Sequence, residues 1–409
     1  MNRDVPALLV RLVHAPQQHG GLGVLRTLGR AGVPVYAMVE DAFTPMAVSR
    51  HLAGRFAIPP TALDRPAELP SLLLDYGRAI GRRAVAVAAD DESAVLLAEH
   101  ADVLSAWFLL PPVPPGLPRR LTSKEGLFHI CAANDVPAPR SWAPADRAEL
   151  LALAHDVGYP LVLKNREAFT RLSAPVVSHT TVVHGEDELL ACLGSRQTPS
   201  VLVQEYIPDA VAEDWITHLY CDRHGVARLV FTGFKIRSWP PYGGATTRAW
   251  SRPNPRLAEL AAGLCRRIGY RGIADLDWRF DRRDGRYKLV DFNPRTGAQF
   301  RLFETRDGTD VVRALYLDLT GRLIPTAPQA DGRMFVLGQA DLPSAVVSAR
   351  REHRMPEALL PRRGTERAWW CRDDPLPALA EAVRFAGGVT RRLARTSAGV
   401  FTKHPPLHA

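Results

Sequence analysis

Lysine is scarce in this chain: of 52 basic residues only Lys124, Lys164, Lys235, Lys288 and Lys403 are lysines, and the other 47 are arginines. No long Lys/Arg block appears, so a formal net charge of +9 does not read as a dedicated nucleic-acid surface. Cysteine is equally sparse. Cys131, Cys192, Cys221, Cys265 and Cys371 are odd in number and form no CxxC pair. That excludes a disulfide framework and a zinc site of the usual spacing, and it predicts reduced thiols in a cytoplasmic protein. The opening "MNRDVPALLVRLVHAP" has a short apolar run broken by Arg11 and lacks a signal-peptide core and cleavage site. No stretch approaches the ~18 apolar residues of a membrane span, so none is expected. Also missing are a full G-x-G-x-x-G, a GK[ST] phosphate loop, an HExxH zinc motif, a G-x-S-x-G elbow and any internal repeat.

What is present suits a multidomain protein: 409 residues, 46% hydrophobic, can form two or three domains. "VPALLVRLVH" reads as a buried strand, "HGGLG" as a turn, "LGVLRTLGRAG" as a helix and "VPVYAMVE" as a second strand. "RRAVAVAADDESAVLLAEHAD" repeats the scheme, with Asp90, Asp91 and Glu92 at a strand's carboxyl end, where ligands of open parallel sheets bind. The same three acids equally suit a helix N-terminus. Proline-rich "LLPPVPPGLP", residues 109–118, marks a domain boundary. Beyond it come a capped helix from Thr122 or Ser123 to Asn134, strand-like "GYPLVLKN" and "SVLVQEYIP", and the helix "NPRLAELAAGLCRRIGY". Two further strands, "GIADLDWRF" and "YKLVDFNP", flank the hairpin turn "DRRDG". From about residue 322 the chain is rich in Pro and Arg, with a basic amphipathic segment near 378–396.

The hairpin carries the chemistry. Alternation puts Asp291 and Asn293 on one face of their strand, and Asp275 and Asp277 on one face of the partner strand. Converging oxygens of this kind suit magnesium, which takes one or two carboxylates and completes its octahedron with water and substrate phosphates. The alternative is a set of exposed edge acids balancing local arginines. Lys124, Lys164 and Lys235 lie in the same region, each near a helix start or a strand end. Compact ammonium groups and magnesium together can neutralise a nucleotide triphosphate.

The order of Lys124 before "VPAPRSW", then "YPLVLK", "VLVQEYIPD", "GFKIRSWPPYGGA", "GYRGIADLDW" and "KLVDFNPR" resembles the ATP-grasp superfamily, nearest its carboxylate-amine ligase branch of D-aspartate ligase-like enzymes and related carboligases. The likeness runs from residue 5 to about 320. It implies an α/β architecture with a pre-ATP-grasp parallel-sheet domain over 1–117. The small, lid-bearing subdomain would lie in 118–203, the large subdomain with the metal site in 204–322, and an unassigned extension in 323–409. By the same resemblance Lys124 and Lys164 hold ATP phosphates, and Gln204, Glu205, Tyr206 and Ile207 form the hinge at the adenine edge. Asp214 takes the ribose hydroxyls, and Lys235 faces phosphate with Arg237 beside it. Asp277, Asp291 and Asn293 hold Mg2+, with Mn2+ as a substitute, and Arg295 lies near the transferred phosphoryl group.

Two departures stand out. Asp occupies metal positions where many relatives carry Glu, and after Lys164 the expected Gly/Ser-rich cover is replaced by "NREAFTRLSAPVVSHT". Arg166, Arg171, Ser173 or His179 would then close over the phosphates. The implied reaction is ATP-dependent joining of a small carboxylate to an amine through an acyl phosphate. Carboxylation or phosphorylation without an amine acceptor, and a non-ligating ATP-binding subunit, remain open, as does a homodimer. Arg248, Arg301 and Arg306 are candidate clamps for a substrate carboxylate.

Overall fold

The computed structural model describes residues 1, 3–15, 18–172, 174–177, 180–240, 244–351 and 364–387, the side chains of residues 169 and 351 excepted. Ser173, His179, Lys403, residues 241–243 and residues 388–396 of the basic segment lie outside the described residues.

The first domain is a five-stranded parallel sheet. Its strands are Ala7–Val10 (β1), Val35–Val39 (β2), Leu52–Ala57 (β3), Ala84–Ala88 (β4) and Phe108–Leu109 (β5), in the order β3-β2-β1-β4-β5. Strand alternation divides β1 between two cores, because a parallel sheet is covered on both faces. Ala7 and Leu9 pack with Leu22, Leu25 and Leu28 of helix Gly20–Arg30. Leu8 and Val10 pack with Leu69 and Leu73 of helix Leu69–Ile80. Glycine at the start of the first helix is a packing requirement: a Cβ on Gly21 would lie 2.4 Å from Met46 Sδ. Strand order reverses between β1 and β4, so a crevice opens at their carboxyl ends.

The second sheet is small and antiparallel, built from Ser141–Trp142 (β6), Leu161–Asn165 (β7), Thr181–Val183 (β8) and Val201–Glu205 (β9) in the order β6-β9-β7-β8. Leu161, Leu163, Val183, Val201 and Val203 form its core with Leu150, Ala154, Leu189 and Leu193 of two helices. The expected boundary between residues 203 and 204 falls inside β9.

The third sheet has seven strands: Ala212–Cys221 (β10), Ala227–Trp239 (β11), Ala245–Ser251 (β12), Gly272–Asp281 (β13), Arg286–Asn293 (β14), Met334–Val336 (β15) and Glu366–Arg367 (β16). Their order is β14-β13-β10-β11-β12-β15-β16. Helices Leu117–Thr122 and Lys124–Ala133 pack into this sheet's core through Leu121, Leu127 and Ile130, beside Leu276 and Phe292. The helix carrying Lys124 is therefore fixed to the large sheet rather than to the small one. β15 and β16 extend the same sheet, and helix Gly338–Arg351 packs on β11 and β12. The tail also reaches the first domain, where Asp374 accepts hydrogen bonds from Arg26 Nε at 3.0 Å and Ser49 Oγ at 2.8 Å. No helix among the described residues is long and apolar enough to cross a membrane.

Candidate active site

A cleft of about 180 Å³ opens between the small and large sheets. Val162 and Lys164 of β7, Gln204 and Glu205 of β9, and the following Tyr206 and Ile207 form one wall. Asp214, Lys235, Asp277, Arg279 and Asp291 form the other. A second chamber of about 310 Å³ adjoins it, at the β1/β4 crevice of the first domain. Lys124, Lys164 and Thr180 line both spaces, while Asp91, Glu92, Glu167 and Arg295 line only the second.

The two strands pair antiparallel as the hairpin predicts, and a register shift between Asp277 and Trp278 sets Asp277 opposite Asp291 and Asp275 opposite Asn293. Each of the three expected metal ligands carries a cation. Lys124 Nζ donates to Asp291 Oδ1 at 2.5 Å, Lys235 Nζ lies 2.6 Å from Asp277 Oδ1, and Arg295 Nη2 donates to Asn293 Oδ1 at 2.9 Å. Lys164 is held differently, donating to the Val290 carbonyl at 3.2 Å. The Lys124 and Asp291 side chains are 26% and 31% exposed, so both remain open to a ligand entering the cleft.

Electrostatics follow from crowding. Burial disfavours the Lys124 and Lys235 ammonium groups, but Asp291 and Asp277 outweigh it and raise both pKa values. Among the described residues Lys164 forms no ion pair with a carboxylate, and Asp291 and Asp277 raise it only weakly from a distance. Burial, and then repulsion from Lys124, lower it to about 8. Asp291 is held below the usual carboxylate range, burial notwithstanding, chiefly by Lys124. Asp277 is pushed up by burial, and the adjacent Asp275 and Asp291 add to the effect despite Lys235. These three carboxylates are balanced by Lys124, Lys164, Lys235 and Arg295.

Among the described residues no group of three or more His, Cys, Asp or Glu side chains forms a complete metal cage. The donors on hand are two cross-strand carboxylates and one amide. That set suits a hard divalent ion completing its shell with water and phosphate oxygens, which is the magnesium pattern.

Gln204, Glu205, Tyr206 and Ile207 line the cleft, and the side chains of Gln204 and Glu205 are already engaged. Gln204 Nε2 donates to Ser141 Oγ at 2.9 Å. Glu205 accepts from Lys288 Nζ at 3.1 Å and from the Arg140 amide at 3.1 Å. Asp214 accepts from Arg279 Nη1 at 2.8 Å, and Arg279 also caps the Ile207 carbonyl. Arg237 turns away from the cleft: its Nε donates to Asp341 Oδ1 at 2.9 Å, and Arg248 Nη2 shares that carboxylate at 2.7 Å. Arg301 binds Glu366 in the tail at 3.2 Å. Arg295, by contrast, faces the second chamber, where its Nε donates to Asp91 Oδ1 at 3.1 Å.

Sequence reasoning passed over Arg279, Lys288 and Thr180. Arg279 alternates with Asp277 along β13, which was the available signal. Lys288 pairs with Asp281 across the hairpin turn and with Glu205 83 residues away, a contact no local pattern encodes.

No family model matches the chain. A D-aspartate ligase of Enterococcus faecium (strain Aus0004) is 25% identical over 240 residues, which are 56% of this chain and 56% of that protein. The match thus spans little more than half the length of this curated relative. Among solved structures, N5-carboxyaminoimidazole synthetase from Staphylococcus aureus superposes with a TM-score of 0.60 at 10% identity, over 90% of this chain and 92% of that one. L-amino acid ligase from Bacillus licheniformis gives 0.57 at 16% identity, over 80% and 76% of the two chains. The biotin carboxylase domain of Hydrogenobacter thermophilus 2-oxoglutarate carboxylase, in complex with MgADP and bicarbonate, gives 0.57 at 15% identity over 79% and 71%. With its small and large sheets facing across a cleft behind a parallel-sheet domain, the chain has the ATP-grasp fold and is similar to the carboxylate-amine ligase branch of that superfamily.

Proposed function

We propose that this protein is an ATP- and Mg2+-dependent ligase that joins a small carboxylic acid to an amine, forming an amide through an acyl phosphate and releasing ADP and phosphate. The observation that carries the reading is the pairing of Lys124 with Asp291, Lys235 with Asp277 and Arg295 with Asn293 where the two chambers meet. Cations and oxygen ligands are paired with one another there. They are also what a triphosphate and a divalent ion need.

Asp277, Asp291 and Asn293 would hold Mg2+, which when bound supplies charge neutralisation to the phosphates. Lys124 and Lys235 would leave their carboxylates for phosphate oxygens, so ligand binding exchanges partners without creating a bare buried charge. Lys164, which among the described residues forms no ion pair with a carboxylate, would complete the phosphate cradle. The cleft takes the nucleotide against Gln204–Ile207 and Asp214, and the 310 Å³ chamber is of a size for an amino acid or small peptide. Arg295 stands at the chamber's inner edge, where it can stabilise charge on the transferring phosphoryl group. The carboxylate oxygen attacks the terminal phosphorus as ADP leaves, and the amine then displaces phosphate from the acyl carbon. Positioning of both partners accounts for most of the rate.

The test is incubation with Mg-ATP and pools of amino acids, small peptides and other acids and amines, reading nucleotide products and new masses together. ADP with a product one water lighter than two inputs, absent in Asp291→Asn, establishes the ligase. AMP, or ATP binding without turnover in every pool, removes it. A second reading, carboxylation with bicarbonate and no amine acceptor, draws on the fold likeness to the biotin carboxylase domain. Labelled bicarbonate entering a product would select it.

A further inference from the structure

The three acids at the start of helix Asp91–Glu99 face three different parts of the molecule. Asp90 stays within the first domain: it caps its own helix through the Ser93 amide at 2.8 Å and accepts from the Leu12 amide at 2.8 Å, fastening β4 to β1. Asp91 reaches the large domain through Arg295. Glu92 reaches the loop that follows Lys164. Its Oε1 accepts from Thr170 Oγ1 at 2.7 Å and its Oε2 from Arg171 Nε at 3.3 Å, with both charged side chains nearly buried.

That loop has a second anchorage. The Arg166 carbonyl accepts from the Lys124 amide at 2.8 Å, at the start of the helix fixed to the large sheet. Glu167 and Ala168 between the two anchors, with Thr170 at the second, form a wall of the second chamber. A loop without glycine between residues 165 and 172 cannot fold over phosphates as freely as a glycine-rich one. Here a side-chain clasp to another domain fixes its place.

We propose that Glu92 is a positioning residue that holds loop 165–172 as a wall across the second chamber, shielding the acyl phosphate from water until the amine attacks. The shielding rests on the ligase reading, whereas the clasp itself does not. Water reaching the acyl carbon or phosphorus would return the free acid and inorganic phosphate, so that ADP forms without amide.

The experiment has two readouts, on wild type, Glu92→Gln, Arg171→Glu and the reciprocal double variant Glu92→Arg with Arg171→Glu. The first is amide hydrogen exchange in the ligand-free protein. Each single variant should speed exchange over 166–172 by about tenfold, with helix Pro255–Arg267 unchanged as the internal control, and the double variant should recover most of the protection. The second is ADP formed per amide, which should rise at least about threefold in Glu92→Gln and fall back in the double variant. Exchange over 166–172 that is unchanged, or that rises equally in the control helix, overturns the clasp. Faster exchange with an unchanged ADP-to-amide ratio overturns the shielding. If wild type makes no amide at all, it is the ligase reading that fails, and exchange alone decides the clasp.

Discussion

Lys235 on β11 reaches across the whole of β10 to place its Nζ 2.6 Å from Asp277 on β13. A lysine spanning an intervening strand is held there by charge, since Asp277 lies among Asp275 and Asp291 and needs a positive neighbour. Mg-ATP at a hundred times its Kd is expected to stabilise the wild type by about 2.7 kcal/mol, visible as a rise in Tm. Asp277→Asn should lose most of the magnesium-dependent part of that rise while remaining folded. An undiminished rise would place the metal elsewhere.

Lys164 gives a pH dependence with a definite sign. Its pKa is lowered to about 8 in the folded chain, by burial first and Lys124 second, from an ordinary value of 10.5. Between those two values the unfolded chain binds the extra proton, so this group's contribution to stability increases as pH rises through the window. Nucleotide binding should run the opposite way, because phosphate selects the ammonium form. ATP affinity is expected to fall by up to roughly tenfold per pH unit above 8, with proton uptake measurable by calorimetry in buffers of different ionisation heat. Lys164→Arg should flatten the profile.

Arg237 supports the fold. With Arg248 it surrounds Asp341, and all three side chains are nearly fully buried. Removing the shared carboxylate in Asp341→Ala leaves two guanidinium groups without it, at an expected cost of about 3–5 kcal/mol in denaturant unfolding. The ATP Kd of whatever fraction remains folded should stay near the wild-type value. A selective loss of ATP affinity at full stability would return Arg237 to the nucleotide site.

Gly297 follows Arg295 in the turn after β14, and it is there for clearance. A Cβ would lie 2.3 Å from His218 Cε1 and 2.5 Å from Asp275 Oδ2. Asp275 in turn lies 3.6 Å from Arg295 Nη1, so crowding at 297 is passed to Arg295. Gly297→Ala should cost about 1–3 kcal/mol of stability and depress turnover more than ATP affinity. Equal loss of both would mean the turn matters only for folding.

What could be read from the sequence was what depends on short-range order. Strand alternation and the "DRRDG" turn were enough to bring Asp275, Asp277, Asp291 and Asn293 onto two paired strands, but the register that sets Asp277 opposite Asp291 comes from an irregularity between Asp277 and Trp278 that no local pattern announces; an apolar run ending in acids located the β4 end of the chamber. Long-range partners were another matter. Arg237 and Arg248 meet Asp341, and Arg301 meets Glu366, because the tail adds β15 and β16 to the large sheet. A Pro- and Arg-rich segment with short strands gives no periodic signal of that pairing. Likewise, nothing local distinguishes Asp90, Asp91 and Glu92, whose three different partners lie in three different parts of the fold.

In the proposed reaction a carboxylate oxygen becomes bonded to phosphorus before the amide forms. Once a substrate acid is identified, it should be supplied with 18O in its carboxylate, and the released phosphate analysed by mass. Transfer of one 18O to inorganic phosphate for each amide formed, with ADP as the nucleotide product, is the predicted result. Label appearing in AMP, or phosphate released without label, would contradict it.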